Sequence, residues 1–94
     1  MDNILFSEHG MCYSCGIVGS TERHHIFGGA LRKKSEQYGL VVHLCPYCHR
    51  DNKSGVHGNA HVMERLHVAG QKAAMQQYGW SIDDFRRIFY KNYL

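Results

Sequence analysis

Cys45-Pro46-Tyr47-Cys48-His49 sets two thiols at metal-binding spacing and an imidazole directly after the second. Cys12-Tyr13-Ser14-Cys15 supplies a matching pair, and 29 residues separate the two. Zinc takes four ligands in a tetrahedron, with thiolates about 2.3 Å from the metal. Two such knuckles brought together provide all four. The competing readings are unligated buried cysteines, two disulfides or a redox dithiol. The last is disfavoured because no βαβ pattern surrounds either pair. A site filled by four thiolates is closed to substrate, so zinc bound by Cys12, Cys15, Cys45 and Cys48 is expected to be structural.

The second chemical resource is imidazole. The chain has eight histidines, and histidine is both a common metal ligand and the usual general base near neutral pH. His24-His25-Ile26 lies between the cysteine pairs, His49 follows Cys48, and His57 comes shortly after. Phosphodiester cleavage needs a water, a base to take its proton and a cation to stabilise charge on the phosphate and leaving oxygen. A strand aims adjacent histidines to opposite faces. On a helical turn neighbouring side chains diverge by about 100°, so His49 is expected to face away from the zinc that takes Cys48. Tyr47, between the thiols, is read as a packing residue, and His9, His43, His61 and His67 receive structural or surface readings, His67 as exposed.

These groups must be placed by short elements. Arg23 to Phe27 reads as a strand, and Leu40-Val41-Val42-His43-Leu44 is the clearest strand in the chain, mostly apolar and β-branched in the middle. The two can form a hairpin, with Ala30 to Tyr38 as a polar connection that has room for one helical turn, stopped by Gly39. Ile4 to Ser7 reads as a short strand or docked arm. Pro46 suits a first helical turn. Asn59 is a candidate N-cap for a helix to about Tyr78, with Val62, Leu66, Ala69, Ala73 and Gln77 on one face and Met63 and Ala74 beside them. Gly70 should weaken that helix by about 1 kcal/mol relative to alanine. Gly79 is a natural terminator. Ser81 then caps a last helix to about residue 92, with Ile82, Phe85, Ile88 and Phe89 as its apolar stripe.

Length and charge bound the rest. Ninety-four residues make one domain, and a chain of this size buries only about 60–65% of its unfolded surface, so a metal staple is useful. The N-terminal residues lack the basic and apolar regions of a signal peptide, and no apolar stretch approaches the roughly 20 residues of a membrane span. A cytoplasmic protein with reduced thiols and no membrane partner is expected. The formal charge is +3. Four thiolates with one Zn2+ would remove two charges, so phosphate affinity must come from a local cluster. Arg32-Lys33-Lys34, supported by Arg23 and Arg50, is the candidate nucleic-acid-binding set.

Cys12-x2-Cys15, then His24-His25-Ile26, then Leu44-Cys45-Pro46-Tyr47-Cys48-His49 resembles the zinc-containing branch of the HNH nucleases, over residues 12 to 57. It is also similar to small phage and prophage HNH proteins linked to recombination. The resemblance implies an α+β fold: a small ββα-metal, treble-clef-like core at about residues 10–58, stapled by the four-cysteine zinc, with C-terminal helices at 59–78 and 81–92. It implies that His25 is the general base and that His24, His49 and His57 hold one catalytic divalent metal. It implies DNA as substrate, with 5′-phosphate and 3′-hydroxyl products, in a bacterial host or phage-infected cell. A recombination protein is a candidate partner, and no organic cofactor is implied. The catalytic metal stays open among Mg2+, Mn2+, Ni2+ and Zn2+, Mg2+ being less natural for imidazole ligands.

One position departs from the family. Nine residues before the last motif histidine, where many members have an asparagine that buttresses the base, this chain has Leu40. His43, Asn52 and Asn59 are possible substitutes. The competing class is therefore a non-catalytic, zinc-stabilised nucleic-acid-binding module. A toxin-like or recombination accessory nuclease that needs a partner to load it is a third reading.

Overall fold

In the computed structural model, which describes residues 4–5, 7–51 and 55–94, the chain is built on one antiparallel pair. Strand β1 (Glu22–His25) pairs with β2 (Val41–Leu44) in the register Glu22 to Leu44, Arg23 to His43, His24 to Val42 and His25 to Val41. One more ladder bond, Ile26 N–H to the Leu40 carbonyl at 3.0 Å, continues the pairing past β1. Pleating sends Glu22 and His24 to one face and Arg23 and His25 to the other. Helix α2 (Pro46–Arg50) follows β2 directly, so the centre of the chain is a ββα unit in a small α+β fold.

The connection between the strands holds more helix than its sequence suggests. A 3-10 turn at Gly29–Leu31 leads into α1 (Arg32–Gln37), which has six residues. Buried Ser35 fixes this connection to the hairpin. Its hydroxyl accepts from Phe27 N–H at 3.1 Å and donates to the Leu40 carbonyl at 2.7 Å. A two-pronged pair from Arg23 to Glu36, at 2.7 and 2.6 Å, ties α1 to β1 from outside.

Ile4, Leu5 and Ser7 dock against the hairpin and the end of its connection. Ile4 N–H donates to the Gly39 carbonyl at 2.9 Å, Leu5 is buried, and Ser7 Oγ accepts from His43 N–H at 2.8 Å.

Helix α3 (Ala60–Tyr78) starts at Asn59, whose side-chain oxygen accepts from His61 and Val62 N–H, and ends at Gly79 in the left-handed region. Its buried positions are Leu66, Gly70, Gln71 and Ala74. The apolar face therefore runs through Gly70 and Gln71, and Gln77 is exposed. Gln71 earns its interior place by hydrogen bonds to Asn92 Oδ1 at 2.8 Å and from Tyr93 N–H at 2.7 Å. Helix α4 (Ile82–Phe89) begins with a reciprocal cap between Ser81 and Asp84. It stops at Phe89, short of residue 92, because Tyr90 adopts a positive φ of 67°. Lys34 Nζ donates to the Ile88 carbonyl and to Tyr90 Oη, both at 2.8 Å, and so satisfies that helix end. Phe85 and Phe89 pack on Phe27, with ring centroids 5.5 and 4.8 Å away, whereas Ile82 is left exposed.

Gly70 is a site of close approach. A Cβ there would lie 2.8 Å from Ile26 Cγ2 and 3.2 Å from Phe27 Cε2. Alanine would gain about 1 kcal/mol of helix propensity, but crowding a full core costs about 1–3 kcal/mol. Gly70→Ala is therefore expected to lower stability by about 1 kcal/mol, and urea unfolding checks it. A more stable variant would show that α3 does not sit on Ile26 in this way.

Candidate metal centres

The thiols of Cys12, Cys15, Cys45 and Cys48 all lie within 4.8 Å of one another. Cys15 and Cys45 Sγ are 3.9 Å apart. A tetrahedron with bonds of about 2.3 Å has edges of about 3.8 Å, so this spacing suits one zinc ion. Both pairs form knuckles in which the first sulfur accepts the N–H of the second cysteine: Cys15 N–H to Cys12 Sγ at 3.5 Å and Cys48 N–H to Cys45 Sγ at 3.4 Å. The two C-x2-C units thus meet as expected, and the four cysteines are free of disulfides.

Four thiols this close cannot all ionise without a cation. Burial raises the Cys12 thiol, but backbone hydrogen bonds from Cys15, Cys45 and Ser14 outweigh it and hold it down at about 6. Burial, aided by sulfur hydrogen bonds from Cys15, Cys12 and Cys45, pushes Cys48 up to about 12. A divalent ion removes that conflict, and the donor set fits zinc. Tyr47, between the second pair, is 61% exposed and not part of the core. The short α2 turns it outward while Cys48 turns in.

The second group comprises His24 from β1, His49 from α2 and His57 from the turn beyond it. Each offers one ring nitrogen, and these nitrogens lie within 4.8 Å of one another. His49 Nε2 and His57 Nε2 are 3.0 Å apart. Among the described residues, His24 Nε2 is buried with no hydrogen-bond partner. A buried polar atom left unpaired is costly, and three convergent imidazole nitrogens suit a divalent cation. Burial, followed by the neighbouring His49 and His57, holds His24 down to about 3, so its ring is neutral and free to donate a lone pair. His57 is lowered for the same reasons, burial first and His49 second.

His57 reaches this group because the chain doubles back. Val56 N–H donates to the Cys48 carbonyl at 2.8 Å and His57 N–H to the His49 carbonyl at 3.4 Å. Gly55 makes the return possible. A Cβ there would meet Asp51 N at 2.6 Å and Asp51 O at 2.8 Å, so no side chain fits.

His25 lies on the other face of β1 and borders the same cleft, a space of about 330 Å3 shared with Arg23, Gly28, Arg32, His24, His49, His57 and Met63. Burial, against the opposing pull of Glu36, keeps the His25 imidazole below its ordinary range. Glu36 is its nearest carboxylate, with Oε2 3.8 Å from Nε2. Leu40 is fully buried in the core. His43 lies against His9 instead, and Asn59 is committed to capping α3. Asn52 lies outside the described residues.

The basic set divides. Arg23 is paired with Glu36, and Arg50 grips Glu22 through Nε and Nη2. Lys34 caps α4, leaving Arg32 and Lys33 exposed with no partner among the described residues. His61 is exposed and stands outside the histidine cluster. His67 is half-buried, not exposed, stacked on Phe27 at 5.2 Å, because that turn of α3 lies over the end of β1. Sequence reasoning missed Glu22 and Glu36. Glu22 was within reach, since it stands two residues before His24 and strand alternation puts both on one face. Glu36 depended on an α1 orientation that no periodicity revealed.

No family model, curated protein or solved structure matches this chain. Among the described residues, no helix is long and apolar enough to cross a membrane.

Cys45→Ser should remove tightly bound zinc and unfold the domain, because structural zinc binding supplies folding free energy in small metal-stapled domains. Elemental analysis and circular dichroism read the two effects. Stoichiometric zinc retained by the variant would contradict the four-thiol assignment.

Proposed function

We propose that the protein is a metal-dependent endonuclease of the HNH type that hydrolyses DNA phosphodiester bonds. The observation that carries this reading is the convergence of His24, His49 and His57 on one point beside His25, in a cleft edged by Arg32. A module that only bound nucleic acid would have no use for three convergent imidazoles.

In this reading His24, His49 and His57 hold one divalent cation. Bound there, it would supply Lewis-acid stabilisation of charge on the phosphate and the leaving 3′-oxygen. His25 accepts the proton of the attacking water, for which its neutral ring is suited. Arg32 and Lys33 attract and orient the phosphate backbone. A zinc ion on the four cysteines takes no part in the chemistry and fixes the turn that carries His49. The motif resemblance, including its likeness to phage-type recombination nucleases, points to DNA processing as the setting, with a recombination protein as candidate partner.

Leu40 favours the second reading, a zinc-stabilised nucleic-acid-binding module. No side chain takes the asparagine's place within hydrogen-bond distance of His25 among the described residues, since Glu36 stands at 3.8 Å.

Plasmid and single-stranded DNA cleavage with Mg2+, Mn2+ or Ni2+ separates the two. His25→Ala should lose about 100-fold or more in rate, the scale of a general base, with zinc content and folding unchanged. No cleavage by the native protein with any of these metals, or equal cleavage by the variant, would leave the binding module. Stripping the structural zinc should also abolish cleavage, although no cysteine contacts DNA. Cleavage by the stripped protein would disprove that coupling.

A further inference from the structure

Glu22 belongs to neither ligand set and is not one of the motif residues that carry the resemblance. It stands on β1 two residues before His24, on the same face of the strand. Its Oε1 is 2.8 Å from His49 Nδ1. Arg50 donates from Nε to the same oxygen at 3.0 Å and from Nη2 to Oε2. The carboxylate thus has one oxygen shared by His49 and Arg50 and the other held by Arg50 alone.

We propose that Glu22 is the positioning residue of the histidine cluster: it fixes the tautomer and rotation of His49 so that Nε2 offers its lone pair to a divalent cation. A carboxylate can only accept, so the hydrogen of neutral His49 must sit on Nδ1. Its lone pair is then on Nε2, the nitrogen 3.0 Å from His57 Nε2. Without this partner, neutral imidazole in water favours the opposite tautomer, which puts a hydrogen where a ligand lone pair is needed. Metal-binding histidines are commonly held in this way by a carboxylate at the far nitrogen.

The geometry adds a second task. His49 and Arg50 are neighbours on α2, and both grip one side chain of β1. Five residues make α2, too few for a helix to hold its own orientation. Glu22 therefore sets the rotation of α2 against β1 as well as the ring. Arg50, read from sequence as a phosphate contact, becomes the clamp on that carboxylate. Its guanidinium fork matches the carboxylate and limits the ways Glu22 can turn.

This inference rests on the reading of His24, His49 and His57 as a cation site, and it is tested on zinc-loaded protein with Ni2+ as the added ion. Long-range proton–nitrogen NMR correlation on the native protein, before Ni2+, should find His49 protonated on Nδ1. Calorimetric Ni2+ titration should find binding weakened about 10–100-fold in Glu22→Ala, the usual scale for loss of such a partner. Glu22→Gln, whose amide oxygen still accepts from Nδ1–H, should fall between the two. In Glu22→Ala the Nε2–H form of His49 should grow, a change that mere loosening of the fold would not single out.

A native His49 whose single ring hydrogen sits on Nε2 overturns the proposal, and that measurement needs no variant to fold. Native-like Ni2+ affinity in Glu22→Ala also overturns it, while leaving the cation site intact. Native protein that takes no Ni2+ on the three histidines overturns both the cation site and this role for Glu22.

Discussion

The constraint on which the structure depends is that Cys48 and His49 are adjacent on one short helical turn. A five-residue helix has no stability of its own in water. α2 is held instead by what its side chains grip. Cys45 caps its start and Cys48 turns into the thiol cluster, while His49 and Arg50 hold Glu22 on β1. Because neighbours on a helix diverge by about 100°, one turn can serve two centres only if its rotation is fixed on both sides. The thiols fix one side and the Glu22 carboxylate the other.

The rest of the fold supports that turn. Val56 and His57 return along α2 through backbone bonds to Cys48 and His49, and Gly55 gives them room. α3 leaves from Asn59 immediately afterwards and lies over Ile26 and Phe27, just past β1. The core of Phe27, Phe85, Phe89, Leu40 and Leu44 is thus placed against the hairpin that carries His24 and His25. Packing and metal ligation act on the same few backbone segments, which suits a chain too small to rely on a core alone.

The elements most legible in the sequence were those with local physical signatures. Asn59, Gly79 and Ser81 marked helix ends because capping is decided within a few residues. The two C-x2-C pairs announced their meeting because thiols at that spacing have few other uses. The strand histidines and His49 were legible as chemistry on one metal, but the ligand role of His57 came only through the family resemblance, since nothing local brings it back across Gly55. What stayed hidden was set by three-dimensional approach. Gly70 looked like a flaw in α3 and is the place where the helix backbone nears Ile26. His67 looked exposed because its helix position says nothing of Phe27 beneath it. Lys34 looked like a phosphate ligand because its bond to the end of α4 joins positions 54 residues apart.

That last pairing bears on how such a site would meet a polyanion. Of the five basic residues first read as phosphate contacts, Arg23 and Arg50 are neutralised by Glu36 and Glu22, and Lys34 is spent on a helix terminus. A phosphate recruiting either arginine would have to displace a two-pronged carboxylate pair, stronger than an ordinary hydrogen bond. Displacing Glu22 would also release His49. Phosphate contact through Arg50 and an ordered histidine cluster are therefore opposed, and attraction falls to Arg32, Lys33 and a cation held by the three imidazoles. In the proposed nuclease, affinity for the scissile phosphate would then depend on the cation more than on the protein's own charge. A net charge of only +3 is consistent with that division, in which the fold supplies aim and the metal supplies most of the local field.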